Sequence, residues 1–142
     1  MTSRRDTATD WKIPGFVRSV IDRLRRAGHE AYIVGGAVRD LCMGRPATDW
    51  DVTTSATPAQ IASVFEGLRS FSLKHETTTL VHKGGHYEVT TFRGPKQTLE
   101  DDLQHRDFTI NAMAYDMGKS LLIDPFGGRR DIEKMVVRGV VS

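Results

Sequence analysis

The run Asp49-Trp50-Asp51-Val52-Thr53-Thr54 alternates strictly. A period of two is the mark of an extended strand with one face on a core and the other face open. Trp50 and Val52 then point inward, while Asp49 and Asp51 share the opposite face with Cβ atoms ~7 Å apart. Asp is disfavoured in strands, so two on one face are a poor structural choice unless they hold something. Such a pair can grip one or two Mg²⁺ ions, as phosphoryl-transfer chemistry requires. Two solvated acids on a strand edge are the plainer alternative.

The elements around this strand define the rest of the layout. Pro14 opens a helical pattern in which Phe16, Val17, Val20, Ile21 and Leu24 recur on one side, and Gly28 is its stop. AYIV, residues 31–34, reads as a short buried strand broken by Gly35-Gly36, and residues 37–43 suit a short helix. Thr57-Pro58-Ala59-Gln60 is a capping box with Pro at the first helical position, ahead of a helix that buries Ile61, Val64, Phe65 and Leu68. Residues 77–82 and 86–92 flank Lys83-Gly84-Gly85 and predict a β-hairpin. A helix is expected from about Leu99 to Tyr115, then a strand at 120–124, a turn at Gly127-Gly128 and a short helix at 131–135. Strands and helices are interspersed, which predicts an α+β fold, a small mixed or antiparallel sheet covered by helices.

The chain has 142 residues, enough for one domain, with a flexible N-terminus over residues 1–12 and the domain proper over 13–142. Hydrophobic residues are 39% and charged residues 27%, the balance of a globular chain, and no apolar run approaches the ~20 residues of a membrane span. The N-terminus carries no apolar signal segment, so a cytoplasmic protein is the expectation. The lone cysteine, Cys42, excludes an internal disulfide and sits in an apolar run suited to packing. A net charge of +2 neither demands nor forbids a nucleic-acid partner.

Three further features carry chemistry. The Gly pair in VGGAVRD, residues 34–40, lets an anion approach the backbone ahead of a helix N-terminus, and Arg39 one turn on can supply a fixed cation. A plain turn would use the same glycines. Glu88, in HYEVTTF, is either a cross-strand partner for Lys83 or Lys74, or a third carboxylate beside the Asp pair. In HRDFTINAMAYD, residues 105–116, Arg106, Asp107 and Asn111 offer a cation, an acceptor and an amide within about a turn and a half. That set suits a ribose and phosphate, and equally an exposed polar helix face.

Taken together, GGAVRDLCMGRPATDWDVTTSATPAQI, YEVTTFR, HRDFTINAMAYD and IDPFGGRRDIE resemble, in order, the motifs of the class II tRNA nucleotidyltransferases and bacterial poly(A) polymerases. These belong to the polymerase-β nucleotidyltransferase superfamily, and the resemblance spans roughly residues 30–138. It implies a catalytic head domain in which Gly35, Gly36 and Arg39 hold a triphosphate and Asp49 and Asp51 bind Mg²⁺. Glu88 would help to activate an RNA 3′-hydroxyl. Arg106, Asp107 and Asn111 would contact the incoming nucleotide and check its ribose. The implied partners are CTP, ATP and the 3′ end of tRNA or another RNA. The implied reaction is CCA or CC addition; poly(A) synthesis, or a non-catalytic nucleotide- or RNA-binding module, are the rival readings.

Three departures stand out. His105 replaces a second Arg of the family, and Glu76 replaces a Gly. The connection from Arg93 to Gln104 is short, which resembles the CC-adding members. The neck, body and tail that follow the head in the family are absent from this sequence, so the expectation is either a fragment of a longer enzyme or a reduced stand-alone head.

Overall fold

In a computed structural model, which describes residues 7–8, 11–74 and 76–140, five helices and a short 3₁₀ turn pack on an eight-stranded sheet. Helix α1 (Gly15–Arg26) starts directly after Pro14 and buries Val17, Val20, Ile21 and Leu24, the residues its 3.6-residue period selects. Strand β2 (Ala31–Val34) runs into α2 (Gly36–Cys42), and β3 (Asp51–Thr54) leads to α3 (Pro58–Val64). The capping box that opens α3 is complete: the Thr57 side chain accepts the Gln60 N–H at 3.2 Å and the Gln60 side chain accepts the Thr57 N–H at 2.9 Å. The hairpin follows as β5 (Thr77–His82) and β6 (Gly85–Thr91), flanked by β4 (Ser70–Lys74), a strand too short and weakly patterned to be legible beforehand.

A two-residue strand, β1 (Thr7–Ala8), pairs with β8 (Leu121–Ile123), which pairs with β7 (Ala114–Asp116). The sheet order is β1-β8-β7-β2-β3-β6-β5-β4. Every pair among the described strands is antiparallel except β3 with β6, so the α+β expectation holds. The main core lies where α1 and α3 cover Ile33, Val52, Leu80 and Val89 of the sheet. A smaller cluster joins Val34, Phe92, Ala114 and Ile123 to Leu99 and Leu103 of α4 (Leu99–Gln104). The expected flexible segment, residues 1–12, lies largely outside the described residues; within it, β1 is paired and Trp11 packs on Tyr115 with ring centroids 5.0 Å apart. Cys42 is half-buried, and burial pushes its thiol up to about 11.

Two expectations need correction. The helix expected from Leu99 to Tyr115 ends at Gln104, a 3₁₀ turn covers Thr109–Asn111, and residues 114–116 are strand β7. Tertiary hydrogen bonds outweigh the helical pattern here. The Arg138 carbonyl accepts the Thr109 N–H at 2.9 Å, the Asp107 carbonyl accepts the Val140 N–H at 3.1 Å, and β7 completes the free edge of β2. The strand expected over 49–54 begins only at Asp51, because β2 ends opposite it at Val34 and turns away into α2. Asp49 therefore precedes the ladder.

Glu76 adopts φ +63, a left-handed conformation in which a Cβ is costly. That geometry explains why Gly suits this position in the resembled family. The last helix, α5 (Gly128–Glu133), begins earlier than expected, on the Asp124 carboxylate, which accepts the Gly128 and Arg129 N–H groups at 2.7 and 3.1 Å. A Cβ on Gly128 would run into the Thr109 carbonyl oxygen, well inside van der Waals contact. Gly128→Ala is therefore expected to cost ~1–3 kcal/mol of stability in urea unfolding. Gly15→Ala, which meets nothing within 4 Å, should stay within about 0.5 kcal/mol of the parent.

Candidate active site

The ends of β2, β3 and β6 converge on one edge of the sheet, and each delivers a different group there. At the end of β2 the chain turns through Gly35, whose φ of 75° and ψ of −140° are open to glycine alone. A Cβ at Gly35 would come within 3.4 Å of Asp51 Oδ2 and 3.7 Å of Arg106 Nη1, so the bare backbone lets a carboxylate and a guanidinium close in on the same spot. Helix α2 has only seven residues, so its dipole is small and the cations of this edge are side chains. Arg39 is held there: Nη1 donates to Asn111 Oδ1 at 3.1 Å, and Nε donates to Asp40 Oδ1 at 3.3 Å.

The parallel register of β3 and β6 sets Asp51 directly opposite Glu88. Burial, then the Glu88 charge and more weakly Asp49, push the Asp51 carboxyl up to about 6, against the opposing pull of Arg106 and Arg93. Trp50 and Val52 are buried on the other side of the strand, as the alternation requires.

Eight of the nine residues singled out from sequence meet in one cavity of about 410 Å³: Gly35, Gly36, Arg39, Asp49, Asp51, Arg106, Asp107 and Asn111. Glu88 lies in an adjoining cavity of about 330 Å³, and Asp49 and Asp51 line both. Sequence reasoning assigned no role to Arg93, which lines the first cavity, or to His86, which lines the second. The position of Arg93 just past the end of β6, one strand from Asp51, was the available signal. His86 was findable too, two residues before Glu88 and so on the same strand face. The two cavities differ in charge. The first sets three arginines, Arg39, Arg93 and Arg106, against three carboxylates, Asp49, Asp51 and Asp107; the second is lined by three carboxylates and His86, with no Lys or Arg.

Among the described residues, no three His, Cys, Asp or Glu side chains form a cage for a metal ion. Asp49 and Asp51 offer two carboxylates in a cavity that also holds Arg39, Arg93 and Arg106. That is the protein share of a typical Mg²⁺ site, where substrate phosphates and water complete the shell. The raised Asp51 carboxyl fits the same reading, since a cation there would relieve the crowding of like charges.

Residues 31–138 match the family described as the Poly A polymerase head domain. The chain belongs to that family. Its head domain is 46% identical over 135 residues to the CCA-adding enzyme of Geobacillus thermodenitrificans (strain NG80-2), covering 85% of this chain and 33% of that protein. It is 45% identical over 115 residues to the CC-adding tRNA nucleotidyltransferase of Shouchella clausii (strain KSM-K16), covering 81% of this chain and 30% of that protein. The crystal structure of the Bacillus stearothermophilus CCA-adding enzyme in complex with CTP superposes with a TM-score of 0.81 at 43% identity, over 92% of this chain and 34% of that one. The chain thus spans about a third of the length of the relatives it matches. No helix among the described residues is long and apolar enough to cross a membrane.

The crowded carboxylates give a pH signature. The Asp51 carboxyl is raised when folded, so in the cation-free head domain this group holds its proton to higher pH than in the unfolded chain, between the ordinary carboxylate range and about pH 6. Its contribution to stability then falls as pH rises through that window. Asp51→Asn should raise the thermal midpoint of the cation-free protein at pH 8, and the gain should vanish at pH 3.5.

Proposed function

We propose that this head domain transfers a nucleotidyl group from CTP or ATP to the 3′ end of tRNA in the cytoplasm, with Mg²⁺ held by Asp49 and Asp51. The single observation that carries this reading is the carboxylate ledge of Asp49 and Asp51 shared by two cavities, one supplied with arginines and one without. In-line phosphoryl transfer needs such a division, with the attacking oxygen on one side of the phosphorus and the leaving oxygen on the other. Arg39, Arg93 and Arg106 suit the triphosphate, whose pyrophosphate leaves. The cavity with Glu88 suits a neutral hydroxyl.

The RNA 3′-oxygen forms a bond to the α-phosphorus, the bond to the β-phosphate bridging oxygen breaks, and pyrophosphate departs. The hydroxyl proton leaves toward Glu88. Bound Mg²⁺ would lower the pKa of the hydroxyl and neutralise the developing charge on the pyrophosphate. Arg39 and Arg106 would position the phosphates, and Arg106, Asp107 and Asn111 would contact the incoming nucleotide and check its ribose. The names of the relatives, CCA-adding and CC-adding, support tRNA as the acceptor.

One observation favours the CC-adding version over the full CCA reaction. Only residues 92–98 join β6 to α4, and this segment is tethered: the Arg93 N–H donates to Asp102 Oδ1 and the Lys96 N–H to Asp101 Oδ2, both at 2.8 Å. A short, pinned connection opposes the movement needed to exchange CTP for ATP. On a tRNA lacking its 3′ end, two C residues with no A are then the expected product, and addition of A would restore the CCA reading.

Asp51→Ala should abolish triphosphate-dependent Mg²⁺ binding in calorimetry while the far-UV circular dichroism stays unchanged; retained binding would remove the metal assignment. Arg39→Ala should weaken CTP, ATP and UTP alike, by roughly tenfold or more, the worth of a charge-assisted hydrogen bond. A loss confined to one nucleotide would make Arg39 a base reader instead.

A further inference from the structure

We infer that Asp102 is a positioning residue that presets Arg106, and the backbone of Arg93, in the arginine-bearing cavity before any triphosphate arrives. The inference rests on the triphosphate reading of that cavity and goes beyond it, because Asp102 does not line the cavity at all. Its side chain has 0% exposure. A carboxylate that deep survives as an anion only when it is paired and hydrogen-bonded. Both of its oxygens are used. Oδ1 accepts the Arg93 N–H at 2.8 Å, and Oδ2 accepts Arg106 Nη2 at 3.2 Å. Asp102 itself is anchored by its own N–H, donated to the Thr98 carbonyl at 3.0 Å, and by its place between Asp101 and Leu103 on a buried face of α4.

Arg93 and Arg106 come from different elements. Arg93 follows the end of β6, and Arg106 follows the end of α4. One buried carboxylate ties the backbone of the first to the guanidinium of the second. Arg106 is left only 13% exposed, so little rotamer freedom remains to be lost when an anion binds. Its second terminal nitrogen, Nη1, stands beside Gly35 at the same spot as Asp51 Oδ2. Its Nε is buried with no acceptor. The free cavity therefore holds a guanidinium fixed through Nη2, with Nη1 set beside the bare Gly35 backbone, an arrangement that suits a phosphate oxygen.

The test is a double-mutant cycle read by triphosphate affinity. Asp102→Asn keeps a carbonyl oxygen for the Arg93 N–H and removes the charge that holds Arg106. In the wild-type background it should weaken CTP, ATP, GTP and UTP by a common factor of about ten. In an Arg106→Gln background the same change should cost less than about twofold, because residues acting as a unit are not additive. Equal losses in both backgrounds, or a loss confined to one base, would overturn the inference. Nitrogen-15 NMR of the wild-type chain without nucleotide tests the positioning itself, even if Asp102→Asn fails to fold. Resolved, slowly exchanging Nη signals from Arg106 are expected, and a single averaged signal would overturn it. A chain with resolved Nη signals that binds no triphosphate would instead sink the nucleotidyltransferase reading and leave the fixed guanidinium standing.

Discussion

Asp51 and Glu88 face each other across the parallel ladder of β3 and β6, with Asp49 just beyond the end of the strand. Bringing carboxylates together against a partly buried surface is unfavourable, because each loses water and each raises the energy of the others. The rest of the sheet exists on terms that tolerate this. Val52 and Val89 are neighbours in the same register and are buried on the opposite face, where α1 and α3 cover them. Their burial, with that of Trp50, offsets the cost of the acidic edge. The face that stores the repulsion and the face that supplies the stability belong to the same strands, so neither can shift register alone.

Cations from outside the strands complete the balance. Arg93 and Arg106 pull the Asp51 carboxyl down while burial and Glu88 push it up. Arg106 is in turn held by Asp102, outside the cavity, and Arg39 by Asn111 within it. A site of this kind is costly in the free protein and favourable once an anion and a cation share it. Destabilised active sites commonly strike that compromise between stability and activity.

The segment after α4 is anchored by the same logic. Asp131 accepts the Thr109 hydroxyl and Arg138 Nε, and the Phe108 backbone pairs with Gly139. These contacts fix where Arg106, Asp107 and Asn111 stand, and they explain why no regular helix runs through them. A continuous helix would leave β2 with an unpaired edge and would carry Asn111 away from Arg39.

How much was legible in the sequence follows from the range of each interaction. The alternation of Trp50 and Val52, the 3.6-residue period of α1, the Thr57–Gln60 capping box and the Gly35 turn depend on neighbours a few residues away, and all were readable in the chain. Asp49, Asp51 and Glu88 stood out by residue type, but spacing left a solvated strand edge or a cross-strand partner equally open, and the resemblance alone implied their roles. What only the tertiary structure decided is which groups meet. The pairing of Asp51 with Glu88, the break of the expected 99–115 helix into helix, 3₁₀ turn and strand, and the capture of Arg93 and Arg106 by Asp102 all depend on contacts that local pattern does not encode. Periodicity records which face of an element is apolar. It carries no record of which strand lies alongside, and the Asp51 carboxyl is raised because Glu88 lies there.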